Sequence, residues 1–115
     1  MRSSVKRRTL DDIYREILYI LLQLIPMGKV VSYSNLAKIL SIHPRKIAYY
    51  LKTNENPIII PCHRVVASNR ELGGYSLGGL EMKKKLLLLE GVVLEDNRVS
   101  RKSYIDLYGF LNEDP

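Results

Sequence analysis

The sequence predicts a mainly α domain with short strands, a winged helix-turn-helix, and three observations carry that prediction. A long amphipathic stretch follows Thr9, and two short helical segments flank the turn Ser41-Ile42-His43-Pro44. Two β-branched runs, Ile58 to Ile60 and Val65 to Ala67, bracket the one cysteine of the chain. At 115 residues with 46% hydrophobic side chains, the chain suffices for one domain with a modest core. We divide it into a basic arm over 1–8, a winged-helix domain over 9–94 and a C-terminal extension over 95–115.

Arg2, Lys6, Arg7 and Arg8 crowd the N-terminus and read as a solvated arm without specific contacts. Thr9 then caps the first helix, and Asp11 and Asp12 suit its electropositive first turn. Ile13, Ile17, Ile20, Leu21 and Leu24 are expected along its buried face until Pro26 stops it. Met27-Gly28-Lys29 makes a turn into a short extended piece at Val30-Val31. Ser32 or Ser34 caps a second helix, Asn35 to Leu40, with Leu36, Ala37, Ile39 and Leu40 as its apolar positions. Pro44 suits the first position of a third helix running to about Lys52. Helices joined by so short a turn form either a helix-turn-helix, with Ala37 in the first helix and Ile47 beneath the second, or a plain helical hairpin in a core. His43, in the turn, reads as a surface residue rather than a ligand or a base.

Thr53-Asn54-Glu55-Asn56-Pro57 is polar and reads as a loop. Ile58 to Ile60 is expected to be a strand, and Pro61, which cannot donate to a ladder, ends it. The chain enters the next strand near Val65, leaving Cys62, His63 and Arg64 on a turn between buried segments. A lone cysteine is more often a small buried hydrophobe than a nucleophile. Here an imidazole and a guanidinium are its immediate neighbours, and nearby positive charge lowers a thiol pKa and enriches the thiolate. Cys62 is therefore the candidate nucleophile.

Beyond it, Ala67 to Glu71 is turn-like, and the glycine-rich stretch Leu72 to Gly79 lacks the Lys-Ser or Lys-Thr of a phosphate cradle. Leu80 to Glu90 is the last strong helix, capped by Gly91, with Leu86, Leu87 and Leu88 toward the core and Lys83 to Lys85 toward solvent. Val92 to Leu94, a turn at Asp96-Asn97 and Val99 read as a hairpin, followed by an amphipathic helix or tail from Tyr104 to Phe110.

One cysteine permits no internal disulfide, which fits a reducing cytoplasm. Two histidines and one cysteine are too few for a structural zinc site. No apolar run approaches the roughly 20 residues of a membrane span, and Met1 to Arg8 lacks the apolar region of a signal peptide. We expect a soluble cytoplasmic monomer with no metal, no cofactor and no membrane partner. A net charge of +6 favours a polyanionic partner such as nucleic acid, because phosphate contacts release counterions.

Pro61-Cys62-His63-Arg64-Val65-Val66 resembles the cysteine motif of the alkylguanine-DNA alkyltransferases, also called methylated-DNA-protein-cysteine methyltransferases. The likeness runs from about Asp12 to about Gly91. It implies a partner, double-stranded DNA containing alkylated guanine, and a reaction: the base is flipped out and its alkyl group moves irreversibly from the guanine oxygen to Cys62. It also implies roles. His63, polarised by Glu90, takes the thiol proton through a water; Tyr33 donates to the purine ring; Ser76 donates at the guanine oxygen; Arg64 holds the turn. The backbone at Cys62 and Val65 reads the guanine amino group, and Tyr75 and Leu51 complete the substrate cavity. Arg45, in Arg45-Lys46-Ile47-Ala48, fills the space left by the flipped base, with Lys46, Ser34 and Tyr33 on the same DNA face. Asn54, eight residues before Cys62, matches the hinge asparagine of the family.

The chain departs from the pattern in places. Tyr49 and Tyr50 follow Ala48 where the family's recognition helix carries small residues, Glu55 replaces the usual proline, and Leu77 adds a residue after Ser76. It also resembles single-domain alkyltransferase-like proteins, which implies an alternative, a base-flipping damage sensor that binds without transfer. Those proteins usually carry tryptophan where this chain keeps Cys62. A winged-helix regulator with an inert cysteine is the third reading.

Overall fold

The first helix starts where two side chains cap each other. In the computed structural model, which describes residues 7–56, 59–73 and 79–112, the Thr9 hydroxyl accepts from the Asp12 amide at 3.1 Å. The Asp12 carboxylate accepts from the Thr9 amide at 3.0 Å, completing a capping box for α1, Leu10–Gln23. The buried face of α1 is Leu18, Leu21 and Leu22, continued by Ile25. Leu21 is buried as expected, but the rest of the expected face is turned by one residue, a rotation of about 100°: Ile13, Ile17, Ile20 and Leu24 are 40–61% exposed. Both stripes are equally apolar, so periodicity alone could not choose between them.

A two-residue strand β1, Val31–Ser32, leads directly into α2, Tyr33–Leu40. Ser32 is its cap, its hydroxyl accepting from the Asn35 amide at 3.1 Å. Ser41, in the left-handed region at φ 56°, ends α2, and α3 follows over Pro44–Lys52. Exposed His43 serves as the N-cap of α3, its ring Nδ1 accepting from the Arg45 amide at 3.0 Å. Ala37 and Ile47 are both buried where α2 and α3 meet, the packing of a helix-turn-helix. The two tyrosines of α3 divide: Tyr50 is fully buried and donates to Asp11 at 2.6 Å, while Tyr49 is 50% exposed.

The expected strand before Cys62 is not formed over its described part; Pro57 and Ile58 lie outside the described residues. The Ile60 amide donates back to the Asn56 carbonyl and the Cys62 amide to that of Ile60, so the chain turns here, and Ile59 is 72% exposed. A single 3-10 turn, Cys62–Arg64, leads into β2, Val65–Val66. Strand β2 pairs with β1 in parallel, Val31 opposite Val65 and Ser32 opposite Val66. That pairing sets the start of α2 beside the cysteine turn.

Helix α4 spans Gly79–Leu89, followed by Gly91 at φ 92°. Its inward face runs through Lys83 and Leu87, four residues apart and both fully buried. Two expectations are corrected: Lys83 does not face solvent, and Leu88, one residue past the inward stripe, is 51% exposed. Strands β3, Leu94–Glu95, and β4, Arg98–Val99, form the expected hairpin, with Asp96 at φ 61° in its turn.

The segment set apart as an extension packs into the same fold. Val99 is fully buried, as is nearly all of Leu107 in the short helix α5, Leu107–Leu111. Val30 donates to the Ser103 carbonyl at 2.8 Å and its own carbonyl accepts from Ile105 at 2.9 Å. The buried amide of Asn35 is satisfied from the same segment, donating to Asp106 and accepting from the Tyr108 backbone. One core cluster gathers Leu18, Leu22, Leu36, Ile47, Tyr50, Cys62 and Val65, and a second gathers Val30, Val66, Leu72, Leu87, Val92 and Val99. Among the described residues no helix is long and apolar enough to cross a membrane.

Candidate active site

Cys62 opens the 3-10 turn at the edge of the larger core, with 6% of its surface exposed. Burial pushes its thiol above the ordinary range, and the Asn54 side chain and the charge of Lys83 oppose that only in part. The resting group is therefore a protonated thiol at neutral pH. This corrects the expectation that its sequence neighbours would depress its pKa. The guanidinium of Arg64 is committed elsewhere: Nη1 donates to the Ile25 carbonyl, Nε to Glu90 Oε1 and Nη2 to Glu90 Oε2, each at 2.8 Å.

His63 is 5% exposed, and its Nε2 lies 2.9 Å from Glu90 Oε2. Burial lowers its pKa more than Glu90 raises it, so the ring is neutral at pH 7. Burial also works against the charge of Glu90, but the bonds from Arg64 and His63 outweigh it and hold the carboxyl below its usual range. An ionised Glu90 accepts, so Nε2 of the neutral ring carries the proton and Nδ1 is its basic nitrogen. The turn thus joins a buried thiol to an oriented base.

Asn54, 9% exposed, braces the approach to the cysteine. Its Nδ2 donates to the Ile60 carbonyl at 3.1 Å and its Oδ1 accepts from the Asn56 amide at 2.9 Å. Leu51 lies in the same core cluster as Cys62 and is only 6% exposed. Tyr33 is half-buried at the start of α2, its hydroxyl pKa raised by burial and by the neighbouring Cys62. A Cβ added at Gly73 would sit 3.5 Å from the Tyr33 hydroxyl and 3.7 Å from Lys83 Nζ, so both groups lie close to Gly73. Lys83 donates to the carbonyl of Val65 at 2.7 Å, and Val65 is, with Cys62, one of the two residues whose backbone is expected to read the guanine amino group. A carbonyl has two lone pairs, so one bond from Lys83 does not exhaust it. Ser76 and Tyr75 lie outside the described residues.

The helix-turn-helix presents the DNA-side candidates separately from the thiol. Arg45 is exposed in the first turn of α3. Lys46 is half exposed and paired with Asp11 at 3.1 Å, and Ser34 is half-buried with its hydroxyl 3.1 Å from that of Ser32. A cavity of about 460 Å³ opens beside the Asn54 loop, lined by Arg15, Tyr19, Tyr49, Asn54, Asn56 and Ile60 among others, without reaching Cys62. Among the described residues no cluster of His, Cys, Asp or Glu could hold a metal ion.

Two features escaped the sequence reading. The Arg64 to Glu90 fork joins residues 26 apart and has no local signal. Lys83 does have one, its spacing of four residues from buried Leu87, but the adjacent lysines hid it.

The profile of the 6-O-methylguanine DNA methyltransferase DNA-binding domain matches residues 12–92. A methylated-DNA–protein-cysteine methyltransferase of Pyrobaculum aerophilum is 44% identical over 99 residues, 84% of this chain and 65% of that protein. Its counterpart from Archaeoglobus fulgidus is 43% identical over 78% of this chain and 58% of its own length. The chain therefore spans less than two thirds of either relative. Among solved structures, the methyltransferase of Pyrococcus kodakaraensis superposes with a TM-score of 0.64 at 42% identity, covering 69% of this chain and 46% of that one. S. pombe Atl1, solved with DNA containing O6-carboxymethylguanine, shares the fold at a TM-score of 0.66 and 24% identity, covering 77% and 83% of the two chains.

Proposed function

The chain belongs to the family of 6-O-methylguanine DNA methyltransferases, as their DNA-binding domain, and on that footing we propose that it repairs alkylated guanine in duplex DNA by taking the alkyl group onto Cys62. The single observation that carries this reading is the chain of contacts behind the thiol. Cys62 is followed by a buried, neutral His63 whose Nε2 is held by an ionised Glu90, itself gripped by Arg64. Burial keeps the thiol protonated at rest, and the oriented imidazole supplies a base when a substrate arrives.

In the reaction, His63 accepts the thiol proton, through a water because adjacent residues seldom point at one another. The sulfur attacks the alkyl carbon in line with its bond to the guanine oxygen. The S–C bond forms as the C–O bond breaks, and the electron pair passes into the purine. Protonation of the departing base restores neutral guanine, the role that the family resemblance gives to Tyr33 at the ring and to Ser76 at the oxygen. The proton lost by the thiol thus balances the proton gained by the base. The thioether has no route back to a thiol, so each molecule acts once. Arg45, planar and charged at the exposed start of α3, is suited to stack in the space the base vacates. The net charge of +6 draws the protein to DNA.

Incubation with excess duplex carrying one O6-methylguanine, followed by intact-protein mass spectrometry, tests the proposal. The expected result is one added methyl mass, mapped to Cys62, that stops at one equivalent and leaves plain guanine in the DNA. Unmodified protein that nonetheless binds the lesion duplex tightly decides for a damage sensor.

A further inference from the structure

Helix α1 carries a second apolar stripe that its own fold leaves uncovered. Leu10, Ile13, Ile17, Ile20, Leu24 and Met27 follow one another at spacings of 3, 4, 3, 4 and 3 residues and are 40–68% exposed. That alternation is the pattern of a helix packing along another helix. The side chains that tie α1 to α3 point the other way: Lys46 meets Asp11, Thr53 meets Arg15, and the Tyr19 hydroxyl reaches the Tyr50 carbonyl. At about 100° per residue those three lie about 180° around the helix from the stripe, so a helix seated on it leaves α3 free. Six side chains exposed to this degree leave on the order of 600 Å² of apolar surface, the top of the range that monomeric proteins ordinarily present. The rim continues past the end of α1, where a Cβ added at Gly28 would meet the Glu90 carbonyl at 3.1 Å and the adjoining Leu89 is 84% exposed. A standard interface takes about 800 Å² from each partner, which the stripe and this rim supply.

We propose that this stripe is a self-association surface, on which α1 of a second copy of the chain lies antiparallel across a two-fold axis passing between Ile17 and Ile20. The stripe is self-complementary in that arrangement, as a closed pair requires: Leu10 lies opposite Met27 of the second copy, Ile13 opposite Leu24, and Ile17 opposite Ile20. Charge selects the antiparallel sense. Arg7 and Arg8 are exposed at the amino end of α1, and a parallel pair would set two such ends together. The last turn of α1 carries no basic residue, so its electronegative carboxyl end is open to the arginines of the second copy. The stripe is shorter than the three or four heptads that mark a free-standing coiled coil. Helix α1 is already folded against its own core, so pairing orders no new backbone and a shorter seam suffices. This pairing replaces the expected monomer and does not depend on the transfer chemistry.

Sedimentation velocity on the full chain, without DNA, tests it. The wild type is expected to pass from a single 13.3 kDa chain to a pair with a dissociation constant on the order of 1–10 μM, the weak end for an interface of standard size. Ile20→Glu sets two carboxylates beside the axis and should weaken pairing by about 100-fold or more, while its exposed position leaves the urea midpoint unmoved. For the orientation, Leu10→Cys and Met27→Cys are prepared separately, each with Cys62→Ser, then mixed and oxidised. The antiparallel pair gives the mixed disulfide between positions 10 and 27, whereas a parallel pair gives only the two symmetric ones. A wild type that stays a single chain up to about 200 μM overturns the proposal and leaves the stripe to be covered by a different domain. A pair that a folded Ile20→Glu does not weaken overturns it as well, and so do symmetric disulfides without the mixed one. The concentration series and the disulfides decide even if Ile20→Glu does not fold.

Discussion

Arg64 grips Glu90 with two parallel bonds, Nε to Oε1 and Nη2 to Oε2, both at 2.8 Å, while its third nitrogen reaches the Ile25 carbonyl at the end of α1. The fork fixes the carboxylate in the plane that His63 meets at 2.9 Å. One arginine therefore ties three parts of the chain together and orients the imidazole beside the thiol.

Arg64→Lys tests the fork directly. A lysine keeps the charge but cannot span both carboxylate oxygens and a carbonyl. Loss of two partly buried bonds should destabilise the fold by about 1–3 kcal/mol, read as a lower urea midpoint at unchanged slope. A midpoint equal to that of the wild type would mean the arrangement adds nothing that a point charge does not.

Stability should fall on acidification from pH 7 toward pH 4, for two reasons of the same sign. The Glu90 pKa is depressed in the fold, so its contribution is present above the ordinary carboxylate pKa and is lost as pH falls through the folded value. His63 is likewise depressed, so below its ordinary value of 6.5 the unfolded chain takes up a proton that the buried ring refuses. Glu90→Gln should flatten the stability profile between pH 7 and 4, with urea melts at several pH values as the measurement. A parallel profile in the variant would place the acid sensitivity elsewhere.

The same variant bears on chemistry. Glu90→Gln should slow methyl transfer on the order of 10- to 100-fold, in the range by which a positioned base contributes. Affinity for the lesion duplex should stay within about twofold, since the change leaves the phosphate contacts intact. Equal losses in binding and transfer would show that Glu90 supports the DNA surface rather than the base.

Much of this was legible in the sequence because it is local. The Thr9 cap, the Pro44 start of α3, the turn at Asp96 and the end of α4 before Gly91 each follow from a few neighbouring residues. The cysteine turn was legible for the same reason, since Pro61 and the valines at 65 and 66 bound it. Which face of α1 meets the core was not, because two apolar stripes compete and only tertiary packing selects Leu18 over Ile17. The environment of Cys62 was misread in the same way. Adjacency placed Arg64 next to the thiol in sequence, but its guanidinium turns to Glu90, and burial of the thiol, which no local pattern signals, raises its pKa.

The tyrosines of α3 bear on how DNA can dock. Tyr50 is removed from any surface by burial, its hydroxyl pKa pushed up to about 12 by burial and by Asp11, so only Tyr49 is left to meet the groove. Tyr49→Ala should therefore alter duplex affinity without changing the melt by more than about 0.5 kcal/mol, the usual limit for an exposed site. A large loss of stability would make Tyr49 a structural residue.

Arg45 and Lys46 are adjacent in α3, yet the structure separates their prospects. Lys46 is engaged with Asp11 of α1, whereas Arg45 extends from the exposed first turn of α3. If Arg45 stacks where the extruded base stood, Arg45→Ala should slow transfer on duplex DNA on the order of 10- to 100-fold, the rate equivalent of part of the few kcal/mol that base extrusion costs. Reaction with free O6-methylguanine needs no extrusion and should be nearly unaffected. Lys46→Ala should cost less than Arg45→Ala on the duplex and lessen the salt dependence of binding by at most about one phosphate contact. Single-turnover rates on duplex and free base, measured side by side for both variants, decide the matter. Equal losses on the two substrates for Arg45→Ala would remove it from the stack.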